Sequence, residues 1–260
     1  MRTLENICYA KREHEDLTLN IYLPDASEFS VFVFFHGGGL EKGNKSTAER
    51  FAWYLTGKGI AVVSADYRKY PNAKYPDFLE DAAEAVYWVS ENINNYGKCQ
   101  KMFVGGSSAG GYISMMLCFN KFFLANEGVN PYLITGYIHD AGQPTTHFNI
   151  LKHERGLHSS AVVVDEAAPL YYISNRDMVK TNMLFIVSDN DMPGRYEQTM
   201  LTLATLKNFG HDMENSIKLK VMHGGHVEYV GKQDENGESS FTDVTGISPQ
   251  TMNSFLLDMC

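Results

Sequence analysis

A chain of 260 residues has room for one α/β domain and little more, and with 44% hydrophobic and 12% aromatic residues it can bury a large core, which excludes a disordered chain. The 31 acidic residues outnumber the 22 basic ones, giving a formal charge of -9, and no Lys/Arg block interrupts that excess, so nucleic acid and anionic membrane surfaces are disfavoured as partners. Met1 to Asn6 lacks the apolar core of a signal peptide and no stretch reaches the ~18 apolar residues needed to cross a bilayer, so a soluble, cytoplasmic protein is expected.

In chain order, Leu17 to Leu23 alternates apolar and polar residues, which predicts an antiparallel strand with one wet face, ended by Pro24-Asp25. Val31 to Phe35 is apolar throughout, as suits a strand covered on both faces, and it leads into His36-Gly37-Gly38-Gly39. A helix is predicted from Ser46 to Lys58, a strand at Ile60 to Ser64, a helix from Phe78 to Asn94 and a strand at Lys101 to Val104. Further strands are predicted at Leu133 to His139, Met183 to Val187 and Ile217 to Met222, with a helix over Arg195 to Phe209. Strands alternating with helices imply a mostly parallel sheet with helices on both faces. Gln233 to Ser240 reads as a surface loop and Pro249 to Met259 as a short closing helix. Cys8, Cys99, Cys118 and Cys260 show no C-x-x-C pair or zinc spacing and are expected to be reduced thiols.

The strongest chemical signal is Gly105-Gly106-Ser107-Ser108-Ala109-Gly110-Gly111, a G-x-S-x-G motif between an apolar strand and an apolar helical run. A nucleophile held on a sharp turn needs small neighbours, and a helix starting there favours developing negative charge. A phosphate loop would require G-x-x-x-x-G-K followed by Ser or Thr, and a dinucleotide fingerprint G-x-G-x-x-G; neither is present. The His36-Gly37-Gly38-Gly39 loop offers backbone N–H groups of the kind an oxyanion hole uses. In the chain order nucleophile, acid, histidine, the acid should follow a late strand and the histidine the last one. That leaves Asp189 or Asp191 as the acid and His223 or His226 as the base. A zinc site on the two histidines is disfavoured by the two glycines between them and the lack of a third ligand.

Across roughly Phe32 to Tyr229 the sequence resembles the α/β-hydrolase family, in particular esterases similar to hormone-sensitive lipase and the small bacterial carboxylesterases near them. Asp66-Tyr67-Arg68, Tyr75-Pro76-Asp77, Asp81 and Trp88 belong to the same likeness, with Asp66, Arg68 and Asp81 expected to be structural. The resemblance implies the N–H groups of Gly38, Gly39 and Ala109 as oxyanion donors, with His36 fixing the loop. It also favours Asp191, three residues after a small residue at a strand end, and His226, which ends a small-residue turn. It implies hydrolysis of a small ester by Ser108, with no cofactor and no metal. Amide or formamide hydrolysis, and a scaffold that only binds, are the alternatives.

An N-terminal helical cap is not expected, since about 35 residues precede the glycine loop. The connection from Ala141 to Ala168 is long enough to form a short lid insertion within one domain spanning 1–260. Phe148, Ile150, Leu151 and Leu157 would line an apolar pocket there, and His147, His153 and Arg155 would meet a polar group. His147 and Phe148 are the candidate substrate contacts.

Overall fold

A computed structural model describes residues 1–173, 180–227, 255–257 and 259. The chain begins with an antiparallel pair, β1 (Arg2–Lys11) and β2 (Asp16–Leu23). β1 has no simple sequence signature because register shifts between Leu4 and Ile7 and between Cys8 and Ala10, with Asn6 at φ 56, break its two-residue period. β2 departs from the expectation of a wet face. It pairs with strands on both sides and is buried on both faces, Leu19, Ile21 and Leu23 in one apolar cluster and Tyr22 in the other. Asn20, 3% exposed, is accommodated there because its Oδ1 accepts the Asn6 amide at 3.0 Å, a partner that the bulge in β1 supplies.

β3 (Glu28–Phe35) follows, then a 3-10 turn at Lys45–Ala48 running into α1 (Glu49–Thr56), β4 (Ile60–Ala65), α2 (Asp77–Asn92) and β5 (Lys98–Ser107). After β5 come α3 (Ala109–Phe119), α4 (Phe122–Asn126), β6 (Ile134–Asp140), α5 (Phe148–Glu154), α6 (Pro169–Ile173), β7 (Asn182–Ser188), α7 (Arg195–Asn208) and β8 (Ile217–Met222). The described strands form one eight-stranded sheet in the order β1-β2-β4-β3-β5-β6-β7-β8, antiparallel at β1 and β2 and parallel from β4 to β8.

The pleat divides the core. Val31, Val33, Phe35, Val63 and Val104 face one side, packed with residues of α2, α3 and α7; Phe32, Phe34, Val62 and Phe103 face the other, packed with Phe51 and Leu55 of α1 and with Phe255 and Leu256. Each such side chain, fully buried, contributes roughly 1.5 to 3 kcal/mol, so both helical layers are fixed by the alternation within β3 to β5. Of the predicted closing helix, residues 255–257 are helical and the rest is largely outside the described residues, as is the whole of Gln233 to Ser240. Among the described residues no helix is long and apolar enough to cross a membrane. Cys8, Cys99 and Cys118 are free thiols, and Cys260 lies outside the described residues.

Polar anchors hold the strand ends. Asp81, fully buried, accepts from the Arg68 amide at 2.9 Å and from the Arg68 and Arg12 guanidinium groups at 2.8 Å. Asp66 accepts from the Lys45 amide and ammonium, both at 2.8 Å. The connection 141–168 is packed into the body of the protein. Ile150, Leu151, Ala167 and Ala168 are buried, Tyr112 Oη donates to the Ala167 carbonyl at 2.8 Å, and Tyr70 Oη and the Tyr75 amide both donate to Glu154.

Candidate active site

β5 ends at Ser107 and α3 begins at Ala109, which leaves Ser108 on the corner between them with φ 55 and ψ -111. Such a conformation costs a non-glycine residue about 1 to 3 kcal/mol and persists only where its surroundings impose it. Here they do. A Cβ at Gly110 would lie 1.9 Å from the Phe35 carbonyl oxygen, one at Gly106 2.5 Å from the same atom, and one at Gly111 2.4 Å from the Asp140 carbonyl oxygen. The ends of β3 and β6 therefore close directly onto the first turn of α3, and the Ser108 amide donates to the Asp140 carbonyl at 2.8 Å.

Ser108 Oγ lies 2.9 Å from His226 Nε2, and His226 Nδ1 lies 2.6 Å from Asp191 Oδ1. A carboxylate can only accept, so Nδ1 carries the hydrogen and Nε2 is left to accept from the serine hydroxyl. Asp191 has a fully buried side chain. Burial pushes its carboxyl up, but the hydrogen bond and charge of His226, the Met192 amide at 2.7 Å and the charge of Arg195 together hold it below the usual carboxylate range. The loops carrying Asp191 and His226 are tied by Ser188 Oγ, which donates to the Gly225 carbonyl at 2.8 Å.

The structure separates the two carboxylates and the two histidines that the sequence offers. Asp189 pairs with His223 Nδ1 at 2.5 Å and accepts from the Gly224 amide at 3.0 Å, on a surface where the His223 side chain is 99% exposed. That pair clasps the two loops and does not contact Ser108. Among the described residues no group of three His, Cys, Asp or Glu side chains is placed to hold a metal ion.

The glycine loop after β3 faces Ser108. His36 is buried, its Nδ1 donates to the Gly37 carbonyl at 2.7 Å, its ring stacks on Tyr67 at 4.4 Å, and its own carbonyl accepts from Tyr67 Oη at 2.8 Å. Burial lowers its pKa to about 4, so the ring is neutral. Gly38 at φ 115 and Gly39 at φ 67 occupy backbone conformations that suit glycine, and no acceptor among the described residues takes their N–H groups. Ala109 N–H belongs to the first turn of α3, where amides have no intrahelical partner. A cavity of about 500 Å³ opens beside these groups, lined by the glycine loop, Ser108, His226, Phe148, Met192 and Val227.

Of the two predicted substrate contacts, Phe148 lines this cavity. His147 lies behind it, 1% exposed, stacked on Phe148 at 4.3 Å with its Nδ1 accepting the Asn149 amide. Ile150 and Leu151 are core residues, His153 pairs with Glu41, and Arg155 pairs with Asp165. Asn149 and Arg195 carry no motif and escape a sequence reading, yet Asn149 Nδ2 donates to the Gly39 carbonyl at 2.5 Å and Arg195 is buried beside Asp191.

A sequence profile described as alpha/beta hydrolase fold matches residues 32–232. The chain belongs to that family. Among relatives of this chain, Esterase LipI of Mycobacterium tuberculosis is 38% identical over 96 residues, a stretch covering 36% of this chain and 30% of LipI. Carboxylesterase NlhH of the same organism is 35% identical over 106 residues, covering 39% and 33% respectively. The matched stretches thus span about a third of those relatives' own lengths. The propionate-bound esterase Est2 of Thermogutta terrifontis superposes with a TM-score of 0.74 over 98% of this chain and 94% of Est2, at 22% identity, which is a likeness of fold.

Proposed function

We propose that this hydrolase is a serine carboxylesterase acting on small esters through Ser108, His226 and Asp191. The observation that carries the reading is the hydrogen-bonded line from Ser108 Oγ through His226 to buried Asp191, at the mouth of a cavity bordered by the glycine loop. The relatives named as esterases point the same way.

In the first step Ser108 Oγ attacks the ester carbonyl carbon while His226 Nε2 takes the hydroxyl proton, and Asp191 stabilises the resulting imidazolium. The carbonyl oxygen becomes an oxyanion held by the N–H groups of Gly38, Gly39 and Ala109. As the C–O bond to the alcohol breaks, His226 returns its proton to the leaving oxygen, and an acyl-Ser108 ester remains. Water, deprotonated by the same Nε2, then attacks that ester; the carboxylic acid leaves and Ser108 recovers its proton. The sequence needs no cofactor. Within residues 1–260 one domain carries the chemistry, and the connection 141–168 acts as a fixed wall that selects substrates through Phe148.

A series of nitrophenyl esters from acetate to decanoate, assayed beside an amide panel, tests the reading. Short esters should be hydrolysed, and Ser108→Ala should lower kcat by ~10⁴ or more with the fold intact. Cleavage of amides with esters left untouched would instead make the chain an amide hydrolase.

A further inference from the structure

Arg195 starts α7 four residues beyond Asp191 and is only 4% exposed. A buried cation is costly unless it is paired and hydrogen-bonded, so its surroundings state what it holds. Its guanidinium donates to the carbonyl of Ala141, a residue kept at φ 48, and to Gln143 Oε1 at 3.3 Å. The same Oε1 accepts the amide of Phe148 at 3.3 Å, and Phe148 lines the cavity beside Ser108. Arg195 thus links the turn bearing the acid to the wall that faces the substrate.

The ionisable groups facing this guanidinium are few. From its own turn Asp191 attracts it; from the loop before α5, His147 faces it and is kept neutral by burial and then by the Arg195 charge. Burial pulls the guanidinium down to about 10, which leaves it charged at neutral pH. Asp191 in turn responds to His226 and Arg195. No hydrogen bond joins Arg195 to Asp191 among the described residues, so its influence on that carboxylate acts through charge.

We propose that Arg195 is a positioning residue of the esterase reaction: its two hydrogen bonds, to the Ala141 carbonyl and to Gln143 Oε1, fix the wall from Ala141 to Phe148 against the turn that bears Asp191. The proposal rests on the esterase reading of Ser108. Without the guanidinium, Gln143 Oε1 loses its charged donor and the Phe148 amide loses an acceptor held in place, so the wall beside Ser108 is no longer fixed.

The experiment compares kcat and KM for nitrophenyl acetate and nitrophenyl hexanoate in the wild type, Arg195→Met and Arg195→Lys, with thermal unfolding followed in parallel. In a folded Arg195→Met the ratio of kcat/KM for the two esters should change by about 10-fold, the loss that slight misplacement of a wall brings. Arg195→Lys keeps the charge but cannot bridge both acceptors, so its ratio should move the same way by a smaller factor. A folded Arg195→Met with the wild-type ratio would overturn the proposal. Should that variant fail to fold, Arg195→Lys decides alone: an unchanged ratio would overturn it. A wild type that hydrolyses neither ester would overturn the esterase reading, a separate failure.

Discussion

Single residues decide the chemistry. Because Asp191 holds His226 while Asp189 holds the exposed His223, Asp191→Asn and His226→Ala should each lose activity by ~10⁴ or more, whereas Asp189→Asn and His223→Ala should keep kcat and lose a little stability. Steady-state kinetics on the four variants check this, and a dead Asp189→Asn beside an active Asp191→Asn would move the acid by two residues. Asn149 belongs to the same scale. Its amide fixes the Gly39 carbonyl at 2.5 Å and hence the peptide next to the Gly39 N–H, a proposed oxyanion donor. Asn149→Ala should lower kcat by about 10- to 100-fold, the range in which slight misplacement of a catalytic group acts, with a smaller change in KM. An unchanged kcat would show that the glycine loop holds itself.

Among the elements, the connection 141–168 departs from the sequence reading at particular residues: Ile150 and Leu151, expected to line a pocket, are core residues, because apolar character does not say which apolar surface will cover a side chain. Replacing Thr145 to His158 with a linker would remove both, at about 2 to 5 kcal/mol each, so the sharper variant is Phe148→Ala. It enlarges the cavity without touching the core and should shift chain-length preference toward longer acyl groups by about 10- to 200-fold in relative kcat/KM. The parallel strands were legible because Val31–Phe35 of β3 and Ile60–Val63 of β4 are unbroken apolar runs, and the Ser108 corner because Gly106, Gly110 and Gly111 are required by backbone contacts under 2.6 Å. β1 was not legible, since bulges erase its period. The buried state of β2 was not either, because an alternating pattern cannot say that Asn20 will find the Asn6 amide across a strand. For the site, chain order supplied the loops holding Asp189, Asp191, His223 and His226, the family resemblance favoured Asp191 and His226, and the fold pairs those two beside Ser108. Arg195 and Asn149 act through contacts more than 50 residues apart in sequence, and no local spacing encodes those.

At the scale of the whole molecule, buried histidines tie stability to pH. Burial lowers His36 to about 4 and His139 to about 3, and burial with the Arg195 charge lowers His147. The unfolded chain takes up these protons near pH 6.5 and the folded one does not. Stability is therefore fully present above about pH 6.5 and declines as pH falls toward the folded values, by up to ~1.4 kcal/mol per histidine per pH unit. Asp191 and Asp165, both held below the usual carboxylate range, add losses in the same direction at lower pH. Calorimetry should show Tm falling from pH 7 to pH 5. His139→Leu should flatten that slope, since Ser114 keeps its bonds to the Gly111 and Ile138 carbonyls; an equal slope in that variant would exclude His139 as a contributor.

All of these expectations presuppose that Ser108, on its strained corner and 2.9 Å from His226, is the nucleophile. The most direct measurement is reaction with a fluorophosphonate followed by intact-protein and peptide mass spectrometry, in wild type and Ser108→Ala. One adduct per chain, located on Ser108, absent from the variant and accompanied by complete loss of ester hydrolysis, is the predicted result. Hydrolysis that survives in Ser108→Ala, or inactivation with the adduct on another residue, would contradict it.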